Sequence, residues 1–230
     1  MQHPNKSRPL ADPLQLVPRA ITKLYSMWIS ATYPFASKGR KMSFHITSQI
    51  DRKRAVRISL GNGISLRKDA WLNVATEDPT GEPTIVLEDN CHIGYGSIIS
   101  AKNRIHLERN VLVGQQVIMV DHNHAYEDIA IPIVNQGITA GGRIRIGQGS
   151  WIGRGAAIIC PRGELTIGCN CVVAVNSVVT RSIPDYSLAW GNPATIVRHY
   201  DQGAGGWRIG PNRSRAERIS EYRTADPGAE

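Results

Sequence analysis

Residues 146–158 read IGQGSWIGRGAAI and place an isoleucine at every sixth position. Glycine directly follows the first two of these isoleucines. The interval of six recurs without interruption inside three further aliphatic triplets: Leu87, Ile93 and Ile99; Leu107, Val113 and Met119; Ile167, Val173 and Val179. Four unbroken triplets are too regular for accidental periodicity in a β-rich domain, so this repeat decides the fold class.

A period of six matches neither an α-helix, which repeats about every 3.6 residues, nor a single alternating strand. Short strands separated by tight turns satisfy it, if three strands close one triangular coil of about eighteen residues. Each aliphatic residue then points inward and stacks on its equivalents in neighbouring coils. We therefore predict an all-β parallel β-helix of about four coils, with Ile58, Ile64 and Ala70 adding a less regular coil before them.

One interval in the repeat is much longer than six, because 27 positions separate Met119 from Ile146. A segment must therefore leave the coils and return. It begins with Asp121, His122, Asn123 and His124. Long loops on a rigid repeat scaffold are common places for function. The sequence thus predicts that this loop, which we call the excursion, carries the chemistry.

The formal net charge of +8 is concentrated at the start of the chain. Residues 1–60 contain 11 Lys and Arg against 2 acidic residues, whereas residues 61–200 are nearly balanced. A nucleic-acid-binding protein usually carries its positive charge on the folded module, so we predict no nucleic-acid partner. Apolar residues at spacings of three and four within 18–33 predict a short amphipathic helix. Such a segment either packs on the β-helix or a neighbouring subunit, or contacts an acidic membrane surface.

The composition is that of a globular protein in a reducing compartment. Hydrophobic residues make up 41 %, which is enough for a core. No apolar run is long enough to cross a bilayer, and residues 1–10 have no signal-peptide pattern. Four irregularly spaced cysteines do not indicate a disulfide scaffold. We expect a cytoplasmic protein, with contact at the inner membrane face as an open possibility.

The repeats, the stretch GQGSWIG at 147–153 and the closing segments SVVTRSIP (177–184) and GNPA (191–194) resemble the hexapeptide-repeat acyltransferases. The resemblance covers about residues 58–200. It implies a left-handed parallel β-helix, a homotrimer, and acyl transfer from acetyl-CoA as co-substrate. The segment DHNHAYED at 121–128 is most similar to the branch that O-acetylates sugars of bacterial surface polysaccharides. The resemblance implies a sugar or sugar-lipid acceptor.

A sugar hydroxyl is a weak nucleophile, so it needs a base that removes its proton as it attacks the thioester. Neutral histidine suits this role, and no acyl-enzyme nucleophile and no metal are required. In the sugar acetyltransferases the catalytic histidine follows an inward aliphatic position by five residues. Counting from Met119, the resemblance implies that His124 is the base. His122 is the second candidate, either as the base or as a residue that orients the first ring.

The resemblance also implies where coenzyme A binds, in a groove between adjacent β-helices. The residues implied for the pantetheine arm are Trp151, Arg154, Ala174 and Val175, and those for the nucleotide end are Thr180, Arg181 and Arg198. Arginine suits phosphate recognition. Two positions depart from the family pattern, because Val175 stands where relatives often have alanine and Thr195 where many have a basic residue.

These observations predict three segments. Residues 1–57 form a basic N-terminal arm with the amphipathic helix, 58–200 the left-handed β-helix, and 201–230 a flexible tail. Two other functions stay open at this point. One is a non-catalytic β-helix scaffold. The other is a metal enzyme like the γ-class carbonic anhydrases, although the histidine pair spaced for that family's zinc ligands is absent.

Overall fold

The computed structural model describes residues 16–76 and 78–209. The described chain contains a helix, α1 (Leu16–Thr32), and three sheets. Sheet A comprises β1 (Ser37–Lys38), β4 (Ile58–Leu60), β7 (Ile85–Leu87), β10 (Arg104–Leu107), β13 (Gly141–Ile146) and β16 (Arg162–Ile167). Sheet B comprises β2 (Ser43–Phe44), β5 (Ser65–Leu66), β8 (His92–Ile93), β11 (Leu112–Val113), β14 (Trp151–Ile152), β17 (Val172–Val173), β19 (Ser187–Gly191), β20 (Ala194–Asp201) and β21 (Gly206–Ile209). Sheet C comprises β3 (Gln49–Ile50), β6 (Trp71–Val74), β9 (Ile98–Ala101), β12 (Ile118–Val120), β15 (Ala157–Ile159) and β18 (Val178–Val179). Short 3₁₀ turns occupy Arg54–Arg57 and Ile133–Asn135.

Successive strands enter sheets A, B and C in turn, so three strands complete one coil. Strands from adjacent coils pair in parallel, as β4 does with β1 and β7. Six complete coils, β1–β3 to β16–β18, make a left-handed β-helix. A partial seventh coil follows, in which β19 extends sheet B, and β20 and β21 then pair antiparallel. The predicted all-β fold class is confirmed, as are the N-terminal helix and the long loop that leaves the coils.

The six-residue period arises because equivalent residues stack in register inside the coils. In sheet A, for example, Leu107 pairs with Leu87 on one side and Ile146 on the other. All twelve residues of the four triplets are at most 1 % exposed. The small or β-branched residues that follow four positions later are buried as well, among them Ser97, Val117 and Ser150. The hydrophobic core is therefore the column that the periodicity predicts.

The β-helix starts earlier than the predicted boundary at residue 58. Strands β1–β3, within residues 37–50, already form a full coil, because each pairs in parallel with the corresponding strand of the next coil. In that next coil the true equivalents of the repeat are Leu60, Leu66 and Leu72 rather than Ile58, Ile64 and Ala70. Six coils therefore replace the predicted four or five.

The predicted flexible tail from residue 201 is also partly wrong. Strand β21 lies inside that segment and pairs with β20, where the rings of Tyr200 and Trp207 meet edge to face. Backbone hydrogen bonds and this ring contact hold the hairpin together. Residues 210–230 of the predicted tail, and residues 1–15 of the predicted arm, lie outside the described residues.

Helix α1 covers the N-terminal end of the β-helix. Its Ile29 is buried in the core cluster beside Phe44 of the first coil. The Ser26 hydroxyl accepts a hydrogen bond from the Phe44 N–H at 2.8 Å and donates one to the Thr22 carbonyl at 2.6 Å. A short series of ring contacts continues from Trp28 through Tyr33 and Phe35 to Phe44. The helix is therefore a docked part of the fold and not a loose arm.

The glycine that follows many inward aliphatic residues is required by the close approach of neighbouring coils. A Cβ atom on Gly94 would overlap the backbone carbonyl of Gly114 in the next coil. Neither backbone can yield without breaking the parallel ladder. We expect Gly94→Ala to lower the free energy of unfolding by about 3 kcal/mol or more. Gly206→Ala is the matched control, because no atom lies within 4 Å of its added Cβ. Equal thermal midpoints for the two variants would contradict this explanation of the repeat.

Candidate active site

The two longest connections of the β-helix leave from the same edge of the prism. They are residues 75–84, between β6 and β7, and the excursion at residues 121–140, between β12 and β13. Both join a sheet C strand to the next sheet A strand, so we call this corner the C–A edge. The coil between the two connections turns the same corner with only residues 102 and 103. The C–A edge therefore carries the longest irregular segments of the β-helix.

Asp121 is the first residue of the excursion, and its carboxylate is completely buried. Three consecutive backbone N–H groups of the preceding coil donate to it: Lys102 at 2.7 Å, Asn103 at 2.8 Å and Arg104 at 2.9 Å. Buried carboxylates are stable only when they are paired or hydrogen-bonded in this way. The tight corner at 102–104 thus forms an anion-binding turn, and the occupant of that turn is a side chain of the protein itself.

His122 is held by this carboxylate. Its Nδ1 lies 2.9 Å from Asp121 Oδ1, and its side chain is 12 % exposed. The Asp121 carboxylate accepts hydrogen bonds from all three N–H groups, so it also acts as the acceptor toward the His122 ring. When that ring is neutral, its proton is therefore on Nδ1, the nitrogen that faces the carboxylate. The Nε2 lone pair is then available to take a proton from another molecule. The pair has the arrangement of an oriented base and the acid that orients it.

His124 has a different environment. Its side chain is exposed, and its ring makes no hydrogen bond to any residue within 16–76 or 78–209. Its backbone forms an isolated antiparallel bridge with Ile138 on the returning arm of the excursion. The geometry therefore favours His122 over His124 as the oriented ring, in the reverse order of the prediction from repeat counting.

The excursion is closed at its base by hydrogen bonds between its two arms. The Asn123 N–H donates to Thr139 Oγ1 at 3.0 Å, and the Thr139 N–H donates to the Asn123 carbonyl at 2.8 Å. The Lys102 ammonium also donates to the Thr139 carbonyl. Farther out, Ile129 and Val134 are almost fully exposed. The base of the loop is thus fixed beside His122, while its apolar tip projects away from the coils.

The residues predicted to bind coenzyme A fall on separate parts of one chain. Trp151 lies on the outer face of sheet B, and Arg154, Ala174 and Val175 lie at the corner between sheets B and C, the B–C edge. Thr180 and Arg181 lie on the C–A edge beyond β18, and Arg198 lies on β20. The width of sheet C separates the B–C edge from the C–A edge. Within one chain, the structure does not bring the predicted pantetheine residues to His122.

Two polar groups on the sheet C strands before the excursion were not singled out in the sequence. The Asn73 amide donates to Ser100 Oγ at 2.8 Å on the outer face of sheet C. Ser100 pairs in register with Val120, which directly precedes Asp121. This polar pair therefore occupies, in the two preceding coils, the position equivalent to Val120. The only indication of this pair in the sequence was that Asn73 and Ser100 are polar residues in otherwise apolar strands.

The buried cysteines are unsuited to covalent catalysis. Burial raises the pKa of Cys91 to about 12, and it also raises the pKa values of Cys160 and Cys171. In the folded protein these three buried side chains are therefore held as thiols and not as the reactive thiolate. Cys169, by contrast, is partly exposed.

We expect a disulfide reagent at pH 8 to label Cys169 first, and the three buried thiols only after unfolding. Mass spectrometry of digested protein after short and long reaction times identifies the labelled residues. Rapid labelling of Cys91 in the folded protein would contradict its placement in the core.

Within residues 16–76 and 78–209, no three His, Cys, Asp or Glu side chains are grouped as a metal ion would require. No helix in the same part of the chain has the length and hydrophobicity to cross a membrane.

Comparison with known proteins supports the interpretation of the repeat. No protein-family model matches the chain. A Mycobacterium tuberculosis protein named "Probable acetyltransferase Rv3034c" is 32 % identical over 131 residues, which are 56 % of this chain and 42 % of that protein. The Escherichia coli protein WbbJ, provisionally named a lipopolysaccharide biosynthesis O-acetyl transferase, is 28 % identical over 64 % of this chain and 71 % of its own length. The chain thus spans less than half of the first relative.

The fold also matches a solved structure over almost its whole length. A mutant of AntD, an N-acyltransferase from Bacillus cereus crystallised with dTDP and coenzyme A, superposes with a TM-score of 0.62. The match covers 86 % of this chain and 95 % of AntD at 16 % identity. The predicted resemblance to hexapeptide-repeat acyltransferases is therefore confirmed in sequence and in fold.

Proposed function

We propose that this chain, which resembles the hexapeptide-repeat acyltransferases in sequence and in fold, is an acetyl-CoA-dependent O-acetyltransferase that acts on a sugar hydroxyl. The observation that carries the proposal is the pairing of His122 with the buried Asp121 at the point where the chain leaves the coils. The relatives named above support the reaction type, and the name of WbbJ supports a role in surface-polysaccharide synthesis. A free sugar, a nucleotide sugar or a lipid-linked sugar would each supply the hydroxyl.

His122 is the general base in this proposal. Its Nε2 takes the hydroxyl proton while the sugar oxygen attacks the thioester carbonyl carbon. The C–S bond then breaks, an ester forms, and the imidazolium returns its proton to the departing thiolate. The Asp121 carboxylate keeps the Nδ1 proton in place and stabilises the imidazolium while it exists. No covalent acyl-enzyme forms, which is consistent with the unreactive buried thiols.

Coenzyme A would bind between copies of the chain. Trp151, Arg154, Ala174 and Val175 would contact the pantetheine arm, and Thr180, Arg181 and Arg198 the phosphates and nucleotide. Since one chain places the first group on sheet B and the B–C edge, away from His122, a neighbouring copy must supply one side of the site. A homotrimer of β-helices around a three-fold axis parallel to their long axes meets this requirement. The exposed apolar side chains Trp71 and Ile118 on sheet C provide a surface for such contacts.

The bond formed in the product tests the proposal, because AntD is an N-acyltransferase whereas WbbJ is named as an O-acetyltransferase. Full-length protein is incubated with isotopically labelled acetyl-CoA and a panel of nucleotide sugars and lipid-linked sugars, each with and without an amino group. We expect a labelled product whose acetyl group is released by mild alkali or hydroxylamine, as an ester is. A product stable to both reagents would be an amide and would overturn O-acetylation.

A further inference from the structure

A polar pocket of about 510 Å³ lies on the C–A edge, at the side of sheet A. Its walls are the connection at residues 75–84, the tight corner at 102–104 and one residue of β13. The charged side chains that line it are four basic ones and two acidic ones: Arg57, Lys102, Arg104 and Arg143, with Asp78 and Glu82. The pocket therefore has an excess of positive charge, and we call it the arginine pocket.

Three of the four basic side chains are held by the protein itself. The Arg57 guanidinium donates to three backbone carbonyls of the connection at 75–84. Arg104 forms an ion pair with Glu82 at 3.0 Å. The Lys102 ammonium donates to a backbone carbonyl of the excursion. These contacts fix the walls of the arginine pocket and neutralise only part of its charge.

Arg143 is the basic side chain that the fold does not use. It is exposed, and its guanidinium has no hydrogen bond or ion pair with any residue in 16–76 or 78–209. Its register partners on the outer face of sheet A are Arg104 on one side and Glu164 on the other. Like charges directly opposite each other on neighbouring strands are unfavourable. An anion that contacts Arg143 and Arg104 together would remove this cost.

A diphosphate fits two neighbouring guanidinium groups better than a carboxylate does. Arginine binds phosphate oxygens through paired hydrogen bonds, and a diphosphate has oxygens for both Arg104 and Arg143. A carboxylate has two oxygens, which a single arginine already satisfies. The volume of the pocket also lies within the range of small-molecule sites, about 300–1000 Å³.

Sheet A is the face of the β-helix that is least suited to contact another copy of the chain. The exposed large apolar side chains of the described strands are absent from sheet A, whereas Leu112 and Trp151 lie on sheet B and Trp71 and Ile118 on sheet C. Apolar surface drives the association of subunits, so we expect copies to meet through sheets B and C. The arginine pocket then stays open to a small molecule.

The arginine pocket and the His122 ring both adjoin the Asp121 carboxylate. Asp121 Oδ1 lies 2.9 Å from His122 Nδ1. The same carboxylate accepts the backbone N–H groups of residues 102–104, whose side chains line the pocket. A ligand anchored in the pocket is therefore held next to the residues that position the proposed base.

We propose that the arginine pocket binds the diphosphate of the acceptor, so that the acetylated sugar is a sugar diphosphate whose sugar extends toward His122. Arg143 and Arg104 contact the phosphate oxygens. The assignment to the acceptor rests on the proposed function, whereas the binding of a diphosphate at Arg143 does not. A nucleotide and a lipid are the two sources of such a diphosphate.

Inorganic pyrophosphate is the probe for the shared chemistry, and Arg143→Gln is the variant. Arg162→Gln is the matched control, because Arg162 is an exposed arginine of the next coil in sheet A that does not line the pocket. A non-hydrolysable acetyl-CoA analogue is kept at saturation, so that the phosphate sites of the donor are filled. Without pyrophosphate, the thermal midpoint of Arg143→Gln should be no lower than that of wild type, since the substitution removes the charge opposite Arg104.

We expect calorimetry to show one pyrophosphate bound per chain, with affinity at least ten-fold weaker in Arg143→Gln and within about two-fold of wild type in Arg162→Gln. Pyrophosphate should raise the thermal midpoint of wild type and of Arg162→Gln, and not that of Arg143→Gln. Titrations with uridine diphosphate and with farnesyl diphosphate then distinguish the two sources. Tighter binding of either one than of pyrophosphate supports the proposal and identifies the source.

Three results would overturn the proposal. One is that millimolar pyrophosphate does not bind, or binds wild type and Arg143→Gln equally well. A second is that the acetyl-CoA analogue displaces pyrophosphate, because the pocket would then belong to the donor. The third is that glucuronate binds as tightly as pyrophosphate, which would make the pocket a carboxylate site. A failure of the proposed function is visible separately, as absence of analogue binding, and pyrophosphate titrated alone still decides whether the pocket binds a diphosphate.

Discussion

Replacing His122 by alanine should lower the rate of acetyl transfer by at least a hundred-fold. General-base catalysis by a positioned histidine contributes about 10²–10⁴ in rate, and alanine retains no group that can take the proton. The ring of His122 is mostly buried and its partner Asp121 is more buried still, so no water-exposed residue easily substitutes for it. The measurement is kcat with saturating acetyl-CoA and acceptor, together with the affinity for coenzyme A, which should stay within about three-fold of wild type.

His124→Ala is the matched control, because it removes a second histidine from the same loop. Its ring is exposed and lacks a hydrogen-bond partner in the described chain, so we expect kcat within about ten-fold of wild type. If His124→Ala were inactive and His122→Ala fully active, the assignment of the base to His122 would be wrong. His124, the base predicted from the repeat, would then be the better candidate.

The second large effect is expected at Asp121, which acts on the reaction through His122. Asp121→Asn keeps the shape of the side chain and replaces one acceptor oxygen by an N–H₂ donor. If the amide nitrogen takes the place of Oδ1, it faces the Lys102 N–H and His122 Nδ1; if it takes the place of Oδ2, it faces the N–H groups of Asn103 and Arg104. The first orientation leaves fewer donors unpaired, because the His122 ring can carry its proton on Nε2 and accept from the amide. We expect kcat to fall about 10²-fold or more, because the proton of the ring is no longer fixed on Nδ1. The KM for acetyl-CoA should change little, since Asp121 is buried away from solvent.

The same substitution should also lower the free energy of unfolding by about 1–3 kcal/mol, because buried N–H groups lose an ionised acceptor. Thermal unfolding separates this loss from the catalytic effect, provided that kcat is measured well below the midpoint. Asp128→Asn is the control, an exposed carboxylate of the same loop that, among the residues that the structure describes, accepts a bond only from the nearby Ala130 N–H. Wild-type kcat in folded Asp121→Asn protein would refute the positioning role.

The core of the β-helix was predictable because its period is unlike that of any other fold. Which residues of the first coils are equivalent to the aliphatic triplets was not predictable. In a strand, residues i and i+2 face the same side, and both Ile58 and Leu60 point into the core. The set Ile58, Ile64 and Ala70 therefore has the same period as Leu60, Leu66 and Leu72. Coil β1–β3 was missed because the first position of its triplet is Lys38, which pairs with Leu60, so only Phe44 and Ile50 are apolar.

The sequence was enough to propose where the candidate site lies, but not how its side chains are paired. The long interval after Met119 indicated the loop and its two histidines. Counting five residues from Met119 selects His124, whereas the contact with Asp121 favours His122, and the variants described above decide between them. Backbone N–H groups of residues 102–104 hold the Asp121 carboxylate in place. Every residue except proline has such a group, so this interaction cannot be recognised from the sequence.

Whether the protein binds an acetyl donor can be tested without knowledge of the acceptor. Calorimetric titration of the full-length protein with a non-hydrolysable acetyl-CoA analogue measures whether the donor binds and in what ratio. We predict saturable binding near one molecule per chain, unchanged in His122→Ala and weakened in Arg181→Ala. Absence of binding at millimolar analogue would contradict the acetyltransferase function and leave a β-helix scaffold as the better description.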